Sequence, residues 1–74
     1  MGEVPQPLRI TECRRNRGLT QKEVALGIGI SERAYQRYEA GDRVPILDVL
    51  VSLADYFDVS IDYLVGRTDN PERL

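Results

Sequence analysis

Seventy-four residues are enough for one domain, and a domain this small buries limited apolar surface and must pack economically. A single cysteine and no histidine exclude an internal disulfide and a Cys/His metal cluster, and no run of about 18 apolar residues is available to span a membrane. The formal net charge is −2, but it is unevenly spread: residues 8–43 hold eight basic and five acidic side chains, a net +3, and residues 44–74 hold two basic and six acidic, a net −4. A chain with a basic half and an acidic half can present one face to phosphate.

Residues 1–7 contain Pro5 and Pro7 and read as an N-terminal arm without regular structure. The opening MGEVPQPLRI lacks the apolar core of a signal peptide, which together with the lone cysteine suits a reducing cytoplasm. Residues 8–17 read as a first helix, with Ile10, Cys13 and Arg14 on one face. Cys13 reads as a small core hydrophobe; a catalytic thiol would want a base nearby, and no histidine exists to serve. Gly18 ends this helix. Thr20 is a candidate N-cap for the second helix, and Glu23 stands at capping-box spacing from it. Val24, Ala25 and Ile28 give that helix its apolar stripe, and Gly27 and Gly29 are expected to break it. Ser31 can cap a third helix that Gly41 closes. Two short helices joined by a glycine-containing turn fit a helix-turn-helix.

Projected at ~100° per residue, the third helix has two faces. Glu32, Gln36, Arg33 and Arg37 fall at roughly 0°, 40°, 100° and 140°, and Ala34, Tyr38 and Tyr35 at roughly 200°, 240° and 300°. The first face is polar with two arginines; the second is small and aromatic. Such a polar face serves equally an ordinary solvated helix or one that reads a ligand.

Arg43, Val44 and Pro45 form a connector. Residues 46–56 read as a fourth helix whose stripe of Leu47, Leu50, Leu53, Ala54 and Phe57 is expected to floor the core, with Asp48 near its positive end. Asp58 stands where the chain turns and tolerates left-handed geometry. Ser60 can cap a fifth helix that carries Ile61, Asp62, Leu64 and Val65 and stops before Gly66. Residues 67–74 form a C-terminal polar tail. With no strand pattern, the expected fold class is all-α, a compact domain of five helices.

The pieces GLTQKEVA (residues 18–25), GIS (29–31), YQRYEAG (35–41) with Pro45, and LADYFDVSIDYLVG (53–66) together resemble the Cro/C1-type helix-turn-helix family, also called the Xre family, which includes lambdoid phage repressors. The resemblance covers residues 8–66, taken as one domain, and rests on the order and spacing of the pieces. It implies a lambda-repressor-like fold with the helix-turn-helix at helices 2 and 3, and a third helix that enters the major groove of double-stranded DNA. Carried over by position, Glu32, Arg33, Gln36 and Arg37 are the base-reading candidates, the same four that the angular projection places outward. Arginine suits guanine, glutamine suits adenine, and glutamate can accept from cytosine. Gln21, at the start of the second helix, is implied to donate to a backbone phosphate, where helix amides and the dipole favour an anion; Lys22 and Arg43 are further phosphate candidates. The family also implies an ion pair between Arg14 and Glu39, which would make Arg14 structural.

Three positions depart from the family pattern. Ile46 stands where a Ser or Thr often caps the fourth helix. Gly27 replaces a helix former. Glu32 puts a negative charge on the reading face, to be met by a cytosine amine or by Arg33 or Arg37.

The sequence therefore reads as a sequence-specific DNA-binding protein, a transcriptional regulator acting as a repressor. It is expected to sit as a homodimer on a palindromic operator, with no cofactor and no metal. The fifth helix and the connector before the fourth are candidate dimer surfaces, with Tyr63 and Val65 as contacts or as plain packing residues. No sensing domain follows Gly66 in this sequence, so an inducing signal is expected to act on the domain, on its dimerisation or through a partner. The other reading is an antitoxin-like or other protein-interaction module that keeps the fold and binds DNA weakly or not at all. An enzyme fits least, because the sequence has neither histidine nor a glycine-rich phosphate loop.

Overall fold

The computed structural model describes residues 8–72; the N-terminal arm and the last two residues of the tail lie outside the described residues. Within them the chain forms α1 (Ile10–Asn16), α2 (Gln21–Ile28), α3 (Glu32–Ala40), α4 (Leu47–Phe57) and α5 (Ile61–Leu64), with no strand. Among the described residues no helix is long and apolar enough to cross a membrane.

Local chemistry sets most of the boundaries. The Thr20 hydroxyl accepts the Glu23 amide at 3.0 Å, and the Glu23 carboxylate accepts the Thr20 amide at 2.8 Å, a complete capping box at the start of α2. Ser31 caps α3 by accepting from the Ala34 amide at 3.1 Å, and Ser60 caps α5 by accepting from Tyr63 at 3.0 Å. Asp58 takes φ 56° at the end of α4.

The breaker of α2 is Gly29 alone. It adopts φ 78°, a left-handed conformation open to glycine at no steric cost, and its amide and that of Ile30 close the helix onto Leu26 and Ala25. Gly27, expected to break the helix as well, lies inside α2. A Cβ there would stand 2.4 Å from Cε1 of the Tyr56 ring on α4, so the missing side chain lets α2 and α4 approach closely.

Among the described residues twelve apolar side chains form the core: Tyr35, Phe57, Ile10, Leu53, Leu64 and Val24 fill its centre, and Cys13, at 7% exposure, packs among them as a small hydrophobe. Three expectations need correction. The first helix starts at Ile10 rather than Leu8, although Leu8 is buried beside it. α4 starts at Leu47, and Ile46 occupies its N-cap with no side-chain cap bond, because an alkyl group has nothing to accept with. Leu47 itself is 66% exposed and lies off the core, although Val49 and Leu50 of the same turn pack against it; only Leu53, Ala54 and Phe57 of the stripe are fully covered.

Arginines at both ends of α1 tie it to the rest of the domain. The Arg17 guanidinium donates to the Phe57 carbonyl at the end of α4. Arg9 stacks on the Tyr63 ring at 4.4 Å and pairs with Asp69 at 2.7 Å, and the Tyr63 hydroxyl donates to Glu12 at 3.1 Å. The polar tail folds back onto the domain as far as Pro71, whose carbonyl accepts the Ser60 amide at 3.0 Å.

Candidate nucleic-acid interface

α3 is held from beneath by two tyrosines. Tyr35 is fully buried and Tyr38 nearly so, which turns the opposite face of the helix to solvent. Glu32, Arg33, Gln36 and Arg37 are all exposed on that face, and no backbone rearrangement is required to reach them. The Gln36 amide donates to the Glu32 carboxylate at 3.3 Å, so it is Gln36, one helical turn on, that faces the Glu32 charge, rather than Arg33 or Arg37. Arg33 and Arg37 are both exposed, and a guanidinium is the side chain suited to a bidentate grip on guanine or on phosphate.

The flanks carry the phosphate candidates. Gln21 and Lys22 open α2, where the first-turn amides precede the intrahelical ladder and the dipole is positive. Lys22 is exposed, as is Arg43 just past the end of α3. Gln21 is half-buried, and its side chain has a second engagement that the helical pattern of α2 does not reveal: Nε2 donates to Glu39 Oε1 at 3.0 Å.

Glu39 is the hub beneath this edge. Arg14 grips it with Nε to Oε2 at 2.7 Å and a terminal nitrogen to Oε1 at 3.2 Å, while its other terminal nitrogen donates to the Leu19 carbonyl at 2.9 Å. The side chains are 13% and 6% exposed, so the pair is largely desolvated. Burial alone would push the Glu39 carboxyl up, but the hydrogen bonds from Arg14 and Gln21, with the hydroxyl groups of Tyr35 and Thr11 adding to them, outweigh it and hold the group below the ordinary 4.5. The Tyr35 hydroxyl is buried beside Glu39 and Arg14 without a hydrogen bond of normal geometry, and burial together with the Glu39 charge pushes its pKa far above the usual tyrosine value. The result is a rigid joint: one acid at the end of α3 fixes the end of α1, the entry to α2 and the first side chain of α2.

The candidate dimer surfaces differ in character. The connector and first turn of α4 expose Val44, Ile46 and Leu47 at 55%, 67% and 66%, an apolar patch on the domain surface. Tyr63 and Val65 are half-buried, and Tyr63 is engaged with Arg9 and Glu12 of its own chain. The connector is a candidate surface from the sequence, but the exposure of Leu47 is not, because Leu47 also continues the apolar stripe of α4.

Comparison with known proteins agrees with this geometry. A family model described as helix-turn-helix matches residues 10–64. The chain is 44% identical over 64 residues to the uncharacterized HTH-type transcriptional regulator YobD of Bacillus subtilis, covering 86% of this chain and 57% of that protein. It is 40% identical over 68 residues to the cryptic phage CTXphi transcriptional repressor RstR of Vibrio cholerae, covering 89% of this chain and 61% of that one. Among solved structures, a transcriptional regulator from Listeria innocua superposes with a TM-score of 0.73 at 31% identity, over 78% of this chain and 54% of that one. The chain thus spans little more than half the length of these relatives. Five helices among the described residues, and a family match over 55 of 74 residues, place the chain in the Cro/C1-type (Xre) helix-turn-helix family of DNA-binding transcription regulators.

Proposed function

We propose that this domain binds double-stranded DNA sequence-specifically, inserts α3 into the major groove and acts as a transcriptional repressor. The observation that carries the reading is the outward row of Arg33, Gln36 and Arg37 on a helix whose other face is locked by Tyr35 and Tyr38. Lys22, Gln21 and Arg43 flank that row and supply phosphate contacts, which fix register, while the α3 side chains meet base edges. Occupying the operator blocks polymerase without any chemistry. Two copies form the binding unit. The described residues measure 30 × 23 × 20 Å, so neighbouring copies can set their α3 helices one DNA turn apart, about 34–36 Å. The apolar patch of Val44, Ile46 and Leu47 supports dimerisation on a palindrome, and the cytoplasm is the compartment where this activity is useful.

Selection of bound sequences from a random duplex library, at low and then moderate salt, tests the proposal. Recovery of a palindromic motif, with affinity that falls steeply as salt rises, is the expected result. The Glu32 charge on the reading face and the exposed apolar patch favour a second reading, a protein-interaction module; recovery of nothing above background, or an interaction indifferent to salt, would select it.

A further inference from the structure

We propose that Glu39 is a positioning residue for DNA binding: it holds the Gln21 side-chain amide so that one hydrogen is committed to Glu39 and the other is presented to a backbone phosphate. The inference rests on the DNA-binding function proposed above and deepens it by naming what orients the first phosphate donor of α2.

The geometry points there directly. Glu39 Oε1 accepts from both Gln21 Nε2 at 3.0 Å and Arg14 at 3.2 Å, and Oε2 accepts from Arg14 Nε at 2.7 Å. An ionised carboxylate only accepts, so it selects the NH2 end of the glutamine amide and fixes which way the group is turned. A primary amide has two N–H donors, and Glu39 uses one. The carboxylate cannot swing away, because it is 6% exposed and gripped on both oxygens. Gln21, by contrast, is partly exposed at the first position of α2, so the N–H that Glu39 does not use is left to meet an anion at the start of a helix whose dipole also favours one. Arg14 neutralises the acid that would otherwise repel the phosphate, and through the Leu19 carbonyl it fixes the residue just before the Thr20 cap. A glutamine ordered in the free protein loses less freedom on meeting its ligand than one that must be ordered at that moment. A hydrogen bond accepted by a charged group also polarises the amide and strengthens the donor that remains.

Affinity for the selected duplex, measured across a salt series, separates this role from a merely structural one. Three proteins are compared with the unaltered domain: Gln21→Ala, the paired change Arg14→Met with Glu39→Met, and all three together. The paired change removes both buried charges at once and so leaves neither one unpaired. Gln21→Ala should bind roughly tenfold more weakly per contacting subunit, the lower end for a hydrogen bond to a charged group. Its salt slope should be unchanged, because a neutral donor releases no counterion. The paired variant should show the same loss at the same slope and the same base preference, and Gln21→Ala should cost nothing further in it. A paired variant that keeps full affinity while Gln21→Ala loses it overturns the proposal, as does an altered slope or altered base preference, which would mean that α2 and α3 had moved.

If the paired variant does not fold, the unaltered protein decides. In the 15N-labelled domain the two Gln21 amide protons should be separated, one protected from exchange, and duplex should shift the second while the first holds. Equivalent, freely exchanging protons, or loss of the protected one on binding, overturns the proposal. Failure of the unaltered domain to bind any duplex is a different result and removes the DNA-binding reading itself.

Discussion

Gly27→Ala is the substitution on which local propensity and tertiary packing disagree. Propensity favours it, because alanine in a helix interior is about 0.8–1.0 kcal/mol better than glycine. The structure opposes it. The new Cβ would lie 2.4 Å from Cε1, 2.9 Å from Cζ and 3.1 Å from Cδ1 of Tyr56, whereas carbon atoms in contact settle near ~3.5–4.0 Å. The ring must withdraw by about 1 Å, and it stands edge-on to Phe57 with centroids 5.5 Å apart and planes at 77°. Inserting a methyl group into such a contact costs about 1–3 kcal/mol, and disturbing the aromatic pair adds to it, about 0.5–1.5 kcal/mol. The expected net effect is a loss of about 0.5–3.5 kcal/mol, with a fall in melting temperature of roughly 4–8 °C for each kcal/mol in a domain of this size. Replacing Tyr56 by Ala removes the obstacle, so in that background Gly27→Ala should stabilise by about 0.8–1.0 kcal/mol, the propensity gain alone. Urea titrations followed by circular dichroism on the four proteins of this cycle measure the sign in each background. Stabilisation by the same amount with and without the Tyr56 ring would refute the claim that close approach of α4 selects glycine at this position.

The acid at the end of α3 gives the largest stability effect. Glu39→Ala leaves Arg14 largely buried without its counter-ion and should cost about 3–5 kcal/mol, against a total stability of about 4–11 kcal/mol for a chain of this length, so a chemical melt should show a protein close to unfolding. The same pair makes stability depend on pH: since Glu39 is held below its ordinary 4.5 in the folded state, its contribution is complete above that value and disappears as pH falls through the folded pKa, and an acid melt of Glu39→Gln should lack that component. On the binding side, Arg37→Ala should cost about 1–3 kcal/mol and relax the preference at one base position, whereas Lys22→Ala should weaken binding to all duplexes alike and lower the salt slope by about 0.9 per contact. Competition titrations with the selected motif and with random duplex distinguish them, and an Arg37→Ala domain with unchanged affinity and preference removes Arg37 from the reading face.

What could be read from the sequence was local chemistry. The Thr20–Glu23 box, the Ser31 and Ser60 caps and the left-handed Asp58 involve partners within three residues or a backbone preference of the residue itself, so spacing reveals them. The two faces of α3 follow from a helical period that nine residues suffice to display. Gly27 was misread because the group that decides its role, Tyr56, lies on another helix, and propensity counts only neighbours. Leu47 continued the α4 stripe in sequence yet lies at 66% exposure, because a stripe says which side of a helix is apolar but not how far the neighbouring helices extend along it.

The joint around Glu39 shows most clearly where pattern reading stops. Family resemblance supplied Arg14 and Glu39 as a pair, and separately supplied Gln21 as a phosphate donor; nothing in either statement joins them. The structure brings all three onto one carboxylate, and that changes how binding data must be interpreted. A variant at Glu39 alters two things at once, the population of folded domain and the orientation of Gln21 within it, so an apparent loss of affinity mixes the two. Gln21→Ala perturbs the second with far less of the first, because the Arg14–Glu39 bonds remain. Affinities across this cluster are therefore comparable only when each is referred to the folded fraction, measured by the same denaturant titration that tests the ion pair.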